Sequence, residues 1–270
     1  MNKVNKLVSY MKTDAHTKDI QIRQTAHRLR LVEAFDIKPG HRVLEIGCGQ
    51  GDTTVVLADA VGKTGHVHAI DIASSDYGAP MTLKEATDFI AQSNIGNRIT
   101  FQFETDVSKE SFEQKYDVVI LSHSLFYFSS IKDLVKVFKK ARTFADRICV
   151  ADWDLTVKNY QQTAHAQAII MQALYAQTSE TNANIRIIIT KELISDLLEQ
   201  GKWQVTSVQN VDAADLDDAR WEIYNANQID SVELEPALSA FKKLNEDTSK
   251  LGKIEALDSF VILAEFSVEL

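Results

Sequence analysis

Short apolar runs alternate along this chain with longer segments in which apolar residues recur every third or fourth position. The short runs are typical of buried strands, and the longer spacing is typical of amphipathic helices. Strands that alternate with helices in this way favour an α/β sheet with helices on both faces. The predicted strands lie at 43–46, 66–72, 99–103, 117–121, 147–151, from 203 onward, and at 259–266. The predicted helices lie within 22–35, from 52 onward, and within 83–90, 131–141, 157–182, 190–200 and 234–244.

A glycine-rich turn follows the first predicted strand. Val43 to Ile46 form the apolar run, Gly47, Gly49 and Gly51 come next, and helical spacing starts at Asp52. A helix start exposes free backbone N–H groups, and glycine has no Cβ, so a ligand can lie directly against such a turn. A tight strand–helix turn without any ligand is the alternative interpretation.

The spacing of the glycines discriminates between ligands. A dinucleotide fingerprint, G-x-G-x-x-G, needs its third glycine where Asp52 stands. This chain has G-x-G-x-G instead, with Glu45 two residues before the first glycine. Asp71 stands at the carboxyl end of the next strand, and an acid at that position accepts both hydrogen bonds of a ribose diol. Turn and acid together therefore indicate a nucleoside-bearing ligand.

Glu45, the three glycines and Asp71 resemble the first two motifs of the class I S-adenosylmethionine-dependent methyltransferases, the first of which is written E/D-x-G-x-G-x-G. The resemblance covers residues 36–154 well and residues 186–266 loosely. It implies a Rossmann-like methyltransferase fold whose last strand lies antiparallel between the fifth and the sixth. It also implies S-adenosylmethionine as cofactor and S-adenosylhomocysteine as product.

The resemblance further implies roles for individual residues. Glu45 would hold backbone or the ammonium of the cofactor, the glycine turn its methionine portion, and Asp71 its ribose. Ile72 would pack on the adenine, while Asp106 would receive the adenine amino group. A surface-loop aspartate is the alternative for Asp106. The implied cofactor-binding residues are Glu45, Gly47, Cys48, Gly49, Gly51, Asp71, Ile72, Asp106, Val107 and Ser122.

His123 follows the fourth strand, whose carboxyl end lies beside the first strand at the point where strand order reverses and ligands bind. Histidine titrates near neutral pH, so His123 is the candidate catalytic base. It equally suits a group that orients a ligand, or a capping histidine without chemistry. Asp152 and Trp153 follow the fifth strand and are candidate substrate contacts, with a helix cap and a core tryptophan as the alternative.

The N-terminal segment is predicted to be helical, with one apolar stripe that includes Val32 and Phe35. His27 lies off this stripe, so a solvated position is the simpler interpretation. Helices before the first motif often cover the cofactor in the resembled family, and His27 is therefore also a candidate substrate contact. His66 and His68 share a strand face but have no third ligand in register, so they are expected to be structural and no metal is expected.

The chain is expected to form a single domain over residues 1–270. Its predicted parts are an N-terminal helical cover, a cofactor-binding core, a helical insertion, and a C-terminal part of the sheet that carries a second helical insertion. The complete fold prediction is a doubly wound, seven-stranded, mostly parallel sheet with N-terminal helices and helical cap insertions. The four parts are 1–38, 39–155, 156–200 and 201–270.

Composition and charge narrow the range of partners. The net charge is −9, from 29 basic and 38 acidic residues, which provides no basic footprint for nucleic acid. The two cysteines give no disulfide framework, and no apolar run reaches ~18 residues, so a cytoplasmic protein outside the membrane is expected. The expected partner is a small-molecule substrate. The oligomeric state is not predicted.

Methyl transfer from S-adenosylmethionine to a small molecule is the function we expect. A nicotinamide dehydrogenase shares the strand–turn–helix but needs glycine at the position of Asp52. An aminopropyl transferase that uses decarboxylated S-adenosylmethionine needs a compact acidic cluster for a polyamine, and the acids here are scattered. A non-catalytic nucleoside-binding module would keep the glycines and Asp71 without a pocket over residues 122–125.

Overall fold

The computed structural model describes residues 2–178 and 184–266, and within them one seven-stranded sheet. The strands are arranged in the order β3-β2-β1-β4-β5-β7-β6. Their bounds are β1 Arg42–Ile46, β2 His66–Ile70, β3 Ile99–Gln102, β4 Val118–Ser122, β5 Arg147–Trp153, β6 Gln204–Val211 and β7 Ser259–Glu265. The helices are α1 Lys3–Val8, α2 Lys18–Ala34, α3 Asp52–Ala60, α4 Leu83–Ala91, α5 Ile131–Ala141, α6 Thr163–Thr178, α7 Lys191–Gln200, α8 Asp218–Asn227 and α9 Glu235–Leu251.

The pairing of the strands confirms the predicted topology. Strands β1 to β5 pair in parallel, while β7 pairs antiparallel with both β5 and β6. The strand order reverses between β1 and β4. Strands β2 and β3 extend the sheet from β1 on one side, and β5, β7 and β6 extend it from β4 on the other. Ligands bind at the carboxyl ends of strands at such a reversal. The glycine turn after β1 and the segment after β4 meet at this point.

Both faces of the sheet are covered, which explains why its central strands are almost wholly apolar. All five residues of β4 are buried. Helix α5 packs its apolar stripe on one face, and Ser130 caps its first turn by accepting from the Asp133 N–H at 3.2 Å. Trp203 lies in the same core layer, and its indole N–H donates to the Phe138 carbonyl at 2.8 Å. The other face carries α3 and the N-terminal helices.

The helical insertions form a small core of their own. Helix α6 follows β5, whereas α8 and α9 lie between β6 and β7. Since β6 runs in the same direction as β5, both insertions start at the carboxyl ends of their strands and therefore at the same end of the sheet. Their shared core consists of Ala168, Met171, Ala226, Ile229, Leu238 and Phe241.

Several element boundaries differ from the sequence prediction, and three of these differences have a clear structural setting. Strand β5 continues through Trp153 because β7 pairs along its whole length, including Trp153 with Ser259. Strand β2 stops at Ile70, where its partner β3 also ends. The helix predicted from 157 starts only at Thr163, after a short turn capped by Asn159, and residues 179–182 of that prediction lie outside the described residues.

The N-terminal helices lie against the glycine turn. Gln21 of α2 donates to the Asp52 carboxylate at the start of α3 at 2.8 Å, and Arg23 pairs with Asp217 just before α8. Helix α2 therefore links the turn to the second insertion. No helix in residues 2–178 or 184–266 combines the length and the apolar character that a membrane crossing requires.

Candidate active site

The three glycines of the turn have different physical reasons to be glycine. All adopt positive φ, at 80° for Gly47, 52° for Gly49 and 90° for Gly51. A Cβ on Gly47 would lie 2.7 Å from the Ser124 Cβ, and one on Gly51 would lie 2.7 Å from the Ile90 Cδ1. A Cβ on Gly49 would meet no heavy atom within 4 Å. A side chain at Gly47 or Gly51 would therefore clash with packed neighbours. The backbone at Gly49 instead borders open space that a ligand can occupy.

Asp71 lies beside this open space, immediately after β2. Its carboxylate accepts hydrogen bonds from the Gly49 N–H at 2.8 Å and from the Ala73 N–H at 2.9 Å. The backbone N–H of Thr105 donates to the Asp71 carbonyl at 2.9 Å. These bonds bring the glycine turn, the end of β2 and the segment after β3 to one edge of the sheet.

Glu45 lies beneath the turn in β1. Its side chain is 2% exposed and accepts a hydrogen bond from the Thr54 hydroxyl at 2.6 Å. Burial raises its pKa to about 8, only partly opposed by the bond from Thr54. Through this bond Glu45 links β1 to α3 beneath the turn.

The remaining residues predicted on the cofactor side occupy mixed environments. Cys48 is buried, and burial raises the pKa of its thiol. Ile72 is 71% exposed, and Val107 is buried in the main core. Asp106 accepts from the Ser108 hydroxyl at 2.6 Å and pairs with Lys109 at 2.9 Å, and these bonds lower its pKa. The structure thus leaves Ile72 free for a planar ligand, whereas Asp106 is held by its own loop.

The segment after β4 carries the strained residue of the site. His123 adopts φ 52°, and its backbone N–H donates to the Ala151 carbonyl at 2.8 Å. A non-glycine residue in this region costs about 1–3 kcal/mol and marks functional positions more often than others. Ser122 beside it is buried, and its Oγ has no hydrogen-bond partner among the residues described.

The side chain of His123 lies among residues from β5 and β7. Its ring centroid is 4.4 Å from that of Trp153, and its Nε2 is 3.2 Å from the Ser259 Oγ. Its Nδ1 lies 3.5 Å from an Asp152 carboxylate oxygen. Asp152 is itself fixed, because it accepts from the Leu125 and Trp153 N–H groups, each at 2.9 Å.

The expectation that His27 is solvated is wrong. His27 is completely buried, with its Nε2 3.0 Å from the Ser259 Oγ and its Nδ1 3.3 Å from the Asp212 carbonyl. His27 turns inward because the Ser259 hydroxyl and the Asp212 carbonyl offer it hydrogen bonds, and Gln24 of the same helix is buried where it donates to the Asp218 carboxylate of α8. Burial, followed by the charge of His123, holds the pKa of His27 well below its usual 6.5.

Two further residues that lie beside His123 and Trp153 were not predicted from the sequence. Ser259 starts β7 and bridges His27 and His123. His165 of α6 is buried 5.1 Å from Trp153, ring centroid to ring centroid, and its Nδ1 accepts from the Leu257 N–H at 2.9 Å. Burial lowers its pKa to about 3, so His165 is neutral with its proton on Nε2.

Polar residues from distant segments of the chain thus meet at the carboxyl end of the sheet. The turn at Gly49 and Asp71 forms one part of this region, and a buried histidine cluster of His27, His123, Trp153, His165 and Ser259 forms the other. A seven-stranded sheet with this strand order and an antiparallel β7 defines the class as Rossmann-like methyltransferases. His66 and His68 lie apart from the histidine cluster and bond to the Thr100 hydroxyl and to Tyr116 and Gln102, respectively.

Comparison with known proteins places the chain within this class. It matches the family described as "Methyltransferase domain" over residues 37–211, and it belongs to that family. Membership implies S-adenosylmethionine as methyl donor and S-adenosylhomocysteine as product.

Two solved structures agree with this chain in fold, and one relative matches it by sequence over a shorter part. A cyclopropane-fatty-acyl-phospholipid synthase-like protein from Lactobacillus casei is 37% identical over 98% of this chain and 99% of its own, with a TM-score of 0.88. A magnesium protoporphyrin IX methyltransferase from Synechocystis PCC 6803 with bound SAH has a TM-score of 0.50 at 15% identity, over 97% of this chain and 92% of its own. Methyltransferase phomM from Diaporthe leptostromiformis is 31% identical over 49% of this chain, which spans 40% of that protein.

Proposed function

We propose that this protein transfers a methyl group from S-adenosylmethionine to a small-molecule acceptor that binds beside His123. The observation that carries the proposal is the open space along the Gly49 backbone, bordered by the Asp71 carboxylate. That space lies at the same carboxyl end of the sheet as the histidine cluster. A donor held at the turn and an acceptor bound beside His123 would meet over the end of β4.

The residues that would hold the cofactor are Gly49 for its methionine portion, Asp71 for its ribose and Ile72 for its adenine. When bound, S-adenosylmethionine supplies a methyl group that is already electrophilic. The protein's own contribution is then chiefly to position the acceptor in line and to exclude water. The two hydrogen bonds that Asp71 accepts from backbone keep its carboxylate fixed beside the turn.

The residues around His123 favour an acceptor with a polar reacting atom. His27 and His165 supply buried imidazoles, and Trp153 packs its ring against that of His123. The name of the Lactobacillus casei relative suggests an acyl chain as a second possibility. A long apolar channel would suit an acyl chain, whereas the imidazoles and the Asp152 carboxylate here suit a heteroatom that needs hydrogen bonds.

The proposal is tested by transfer of a labelled methyl group. The protein is incubated with S-adenosylmethionine labelled in its methyl group and with a small-molecule extract depleted of protein and nucleic acid. Label should move into a small molecule at a rate proportional to the protein concentration, while S-adenosylhomocysteine accumulates in equal amount. Label that remains on the donor with every fraction of the extract would contradict the proposal.

Replacement of Asp71 by alanine tests the cofactor side separately. We expect binding of S-adenosylhomocysteine to weaken by about 1–3 kcal/mol, because the ribose loses its acceptor and the Gly49 N–H loses its partner. Titration calorimetry measures the change. Asp76→Ala in the following exposed loop is the matched control and should leave affinity unaltered. Equal affinity in Asp71→Ala and in the unmodified protein would remove the ribose assignment.

A further inference from the structure

The loop between β2 and α4, residues 73–82, forms an arch beside the glycine turn. One end of the arch lies against the segment after β3, where the Ala73 carbonyl accepts from the Glu104 N–H at 3.0 Å. The other end returns to the turn, where the Gln50 Nε2 donates to the Met81 carbonyl at 2.9 Å. Both ends of the arch are thus tied to elements that border the space proposed for the methyl donor.

The middle of the arch is held much more weakly than its ends. Residues 76–80 are all exposed, so this part of the arch contributes little to the core. Segments with few buried contacts open at a low cost in free energy. Tyr77 is 55% exposed, and its hydroxyl donates to the Asn184 Oδ1 at 3.1 Å. A hydrogen bond between two exposed side chains therefore fastens the middle of the arch.

Asn184 begins a segment that is fixed on the other side of the site. The Arg186 N–H donates to the Phe126 carbonyl at 2.8 Å, three residues after His123. Alternate residues of the segment are buried in the main core, namely Ile185, Ile187 and Ile189. The bond from Tyr77 to Asn184 therefore reaches from the donor side of the site to a rigid segment beside the end of β4.

We propose that the contact between Tyr77 and Asn184 closes the mouth of the site, and that S-adenosylmethionine and S-adenosylhomocysteine enter and leave between the arch and Asn184. This inference rests on the proposed placement of the cofactor at Gly49, Asp71 and Ile72. Ile72 directly precedes the arch and is 71% exposed, so a ligand that lies on it lies at the foot of the arch. Tyr77 and Asn184 are then positioning residues that set the rate of cofactor exchange.

A contact that closes the mouth has a different kinetic effect from a contact with the ligand. A closing contact that does not touch the ligand slows entry and exit by the same factor, so it leaves the equilibrium affinity unaltered. A direct contact stabilises the bound state, and its loss changes the affinity chiefly through the dissociation rate. The association and dissociation rates of S-adenosylhomocysteine therefore distinguish the two roles.

Tyr77→Phe removes the hydroxyl and keeps the ring. We expect both rates to rise by ~2–10-fold in stopped-flow fluorescence, the factor to which one neutral hydrogen bond corresponds, while Kd stays unaltered. Asn184→Ala should have the same effect, and the double variant should add nothing, because either change already removes the bond. Tyr224→Phe in α8 is the matched control, since Tyr224 is 65% exposed, and it should leave both rates unchanged.

A covalent link across the mouth tests the route directly. The double variant Tyr77→Cys with Asn184→Cys is loaded with S-adenosylhomocysteine and then treated with a short bismaleimide. Cys48 and Cys149 are buried, so the two exposed new thiols are the ones that react. The linked protein should retain S-adenosylhomocysteine through repeated desalting. Tyr77→Cys alone, treated in the same way, should lose it.

Release of S-adenosylhomocysteine from the linked protein as fast as from the single variant would overturn the proposal. Unchanged rates in both Tyr77→Phe and Asn184→Ala would also overturn it. A weaker Kd with an unchanged association rate would make Tyr77 a ligand contact and would likewise overturn it. If the unmodified protein does not bind S-adenosylhomocysteine at all, the proposed function fails and this inference fails with it. Binding with free exchange in the linked protein would refute this inference alone.

Discussion

Replacement of His123 by alanine is expected to reduce turnover by ~10²–10⁴-fold, the range for loss of a general base. The expectation follows from the position of the ring, which contacts Trp153, Ser259 and Asp152 at the end of β4. Cofactor affinity should stay nearly intact, because the turn at Gly49 and Asp71 does not use this side chain. The measurement is kcat with the acceptor found by labelled transfer, together with calorimetry of S-adenosylhomocysteine.

His123→Asn separates a base from a residue that only orients a ligand. Asparagine tolerates the positive φ of this position better than alanine does, and its amide replaces one imidazole hydrogen bond without accepting the proton. If His123 is the base, asparagine should be as damaging as alanine. Near-normal turnover in both variants would exclude His123 from the chemistry, and activity in the asparagine variant alone would assign it an orienting role.

Gly49→Val is expected to abolish binding of S-adenosylhomocysteine while the protein remains folded. The space beside the Gly49 backbone holds no atom within 4 Å of an added Cβ, so the new side chain would fill the space that the ligand needs. The fold should tolerate the change, at a cost of about 1–3 kcal/mol for a non-glycine residue at positive φ. Calorimetry measures the loss of binding, and circular dichroism with thermal unfolding measures the fold.

Gly62→Val controls for the backbone strain alone. Gly62 also has positive φ, at 69°, and an added Cβ would meet only the Pro39 Cβ, at 3.8 Å. It lies beyond the opposite end of α3 from the turn. Comparable destabilisation in the two variants, with binding lost only in Gly49→Val, is the expected result. If Gly49→Val unfolds while Gly62→Val stays folded, Gly49 is required for the fold. The basis for placing the cofactor there would then be removed.

The sheet, and the meeting of the glycine turn with Asp71, were predictable because their signals are local in the sequence. Each strand is a short apolar run, and the turn from Gly47 to Gly51 joins β1 directly to α3. Asp71 follows the next strand, so its place at the same edge follows from parallel pairing of β1 and β2. The strands, the turn and the position of Asp71 depend on contacts between elements that are close in the sequence.

The histidine cluster was predictable only in part, since its members come from distant segments. Ser259 reaches His27 and His123 because β7 inserts antiparallel beside β5, which aligns Ser259 with Trp153. His27 lies off the apolar stripe of α2. A polar residue off the stripe is predicted to be solvated unless its buried hydrogen-bond partner, here Ser259, is known. His165 lies in an alanine-rich helix whose inward face has little amphipathic signal. In each case tertiary hydrogen bonds, absent from the local pattern, determine the burial.

Calorimetry of the unmodified protein tests most directly whether the turn is built for S-adenosylmethionine. The titrants are S-adenosylhomocysteine, decarboxylated S-adenosylmethionine and NAD. We expect one S-adenosylhomocysteine to bind per chain, and decarboxylated S-adenosylmethionine to bind more weakly because it lacks the carboxylate that helix-end N–H groups attract. NAD should give no binding heat, because Asp52 replaces the third glycine of the dinucleotide fingerprint. Saturable binding of NAD with none of S-adenosylhomocysteine would contradict the account.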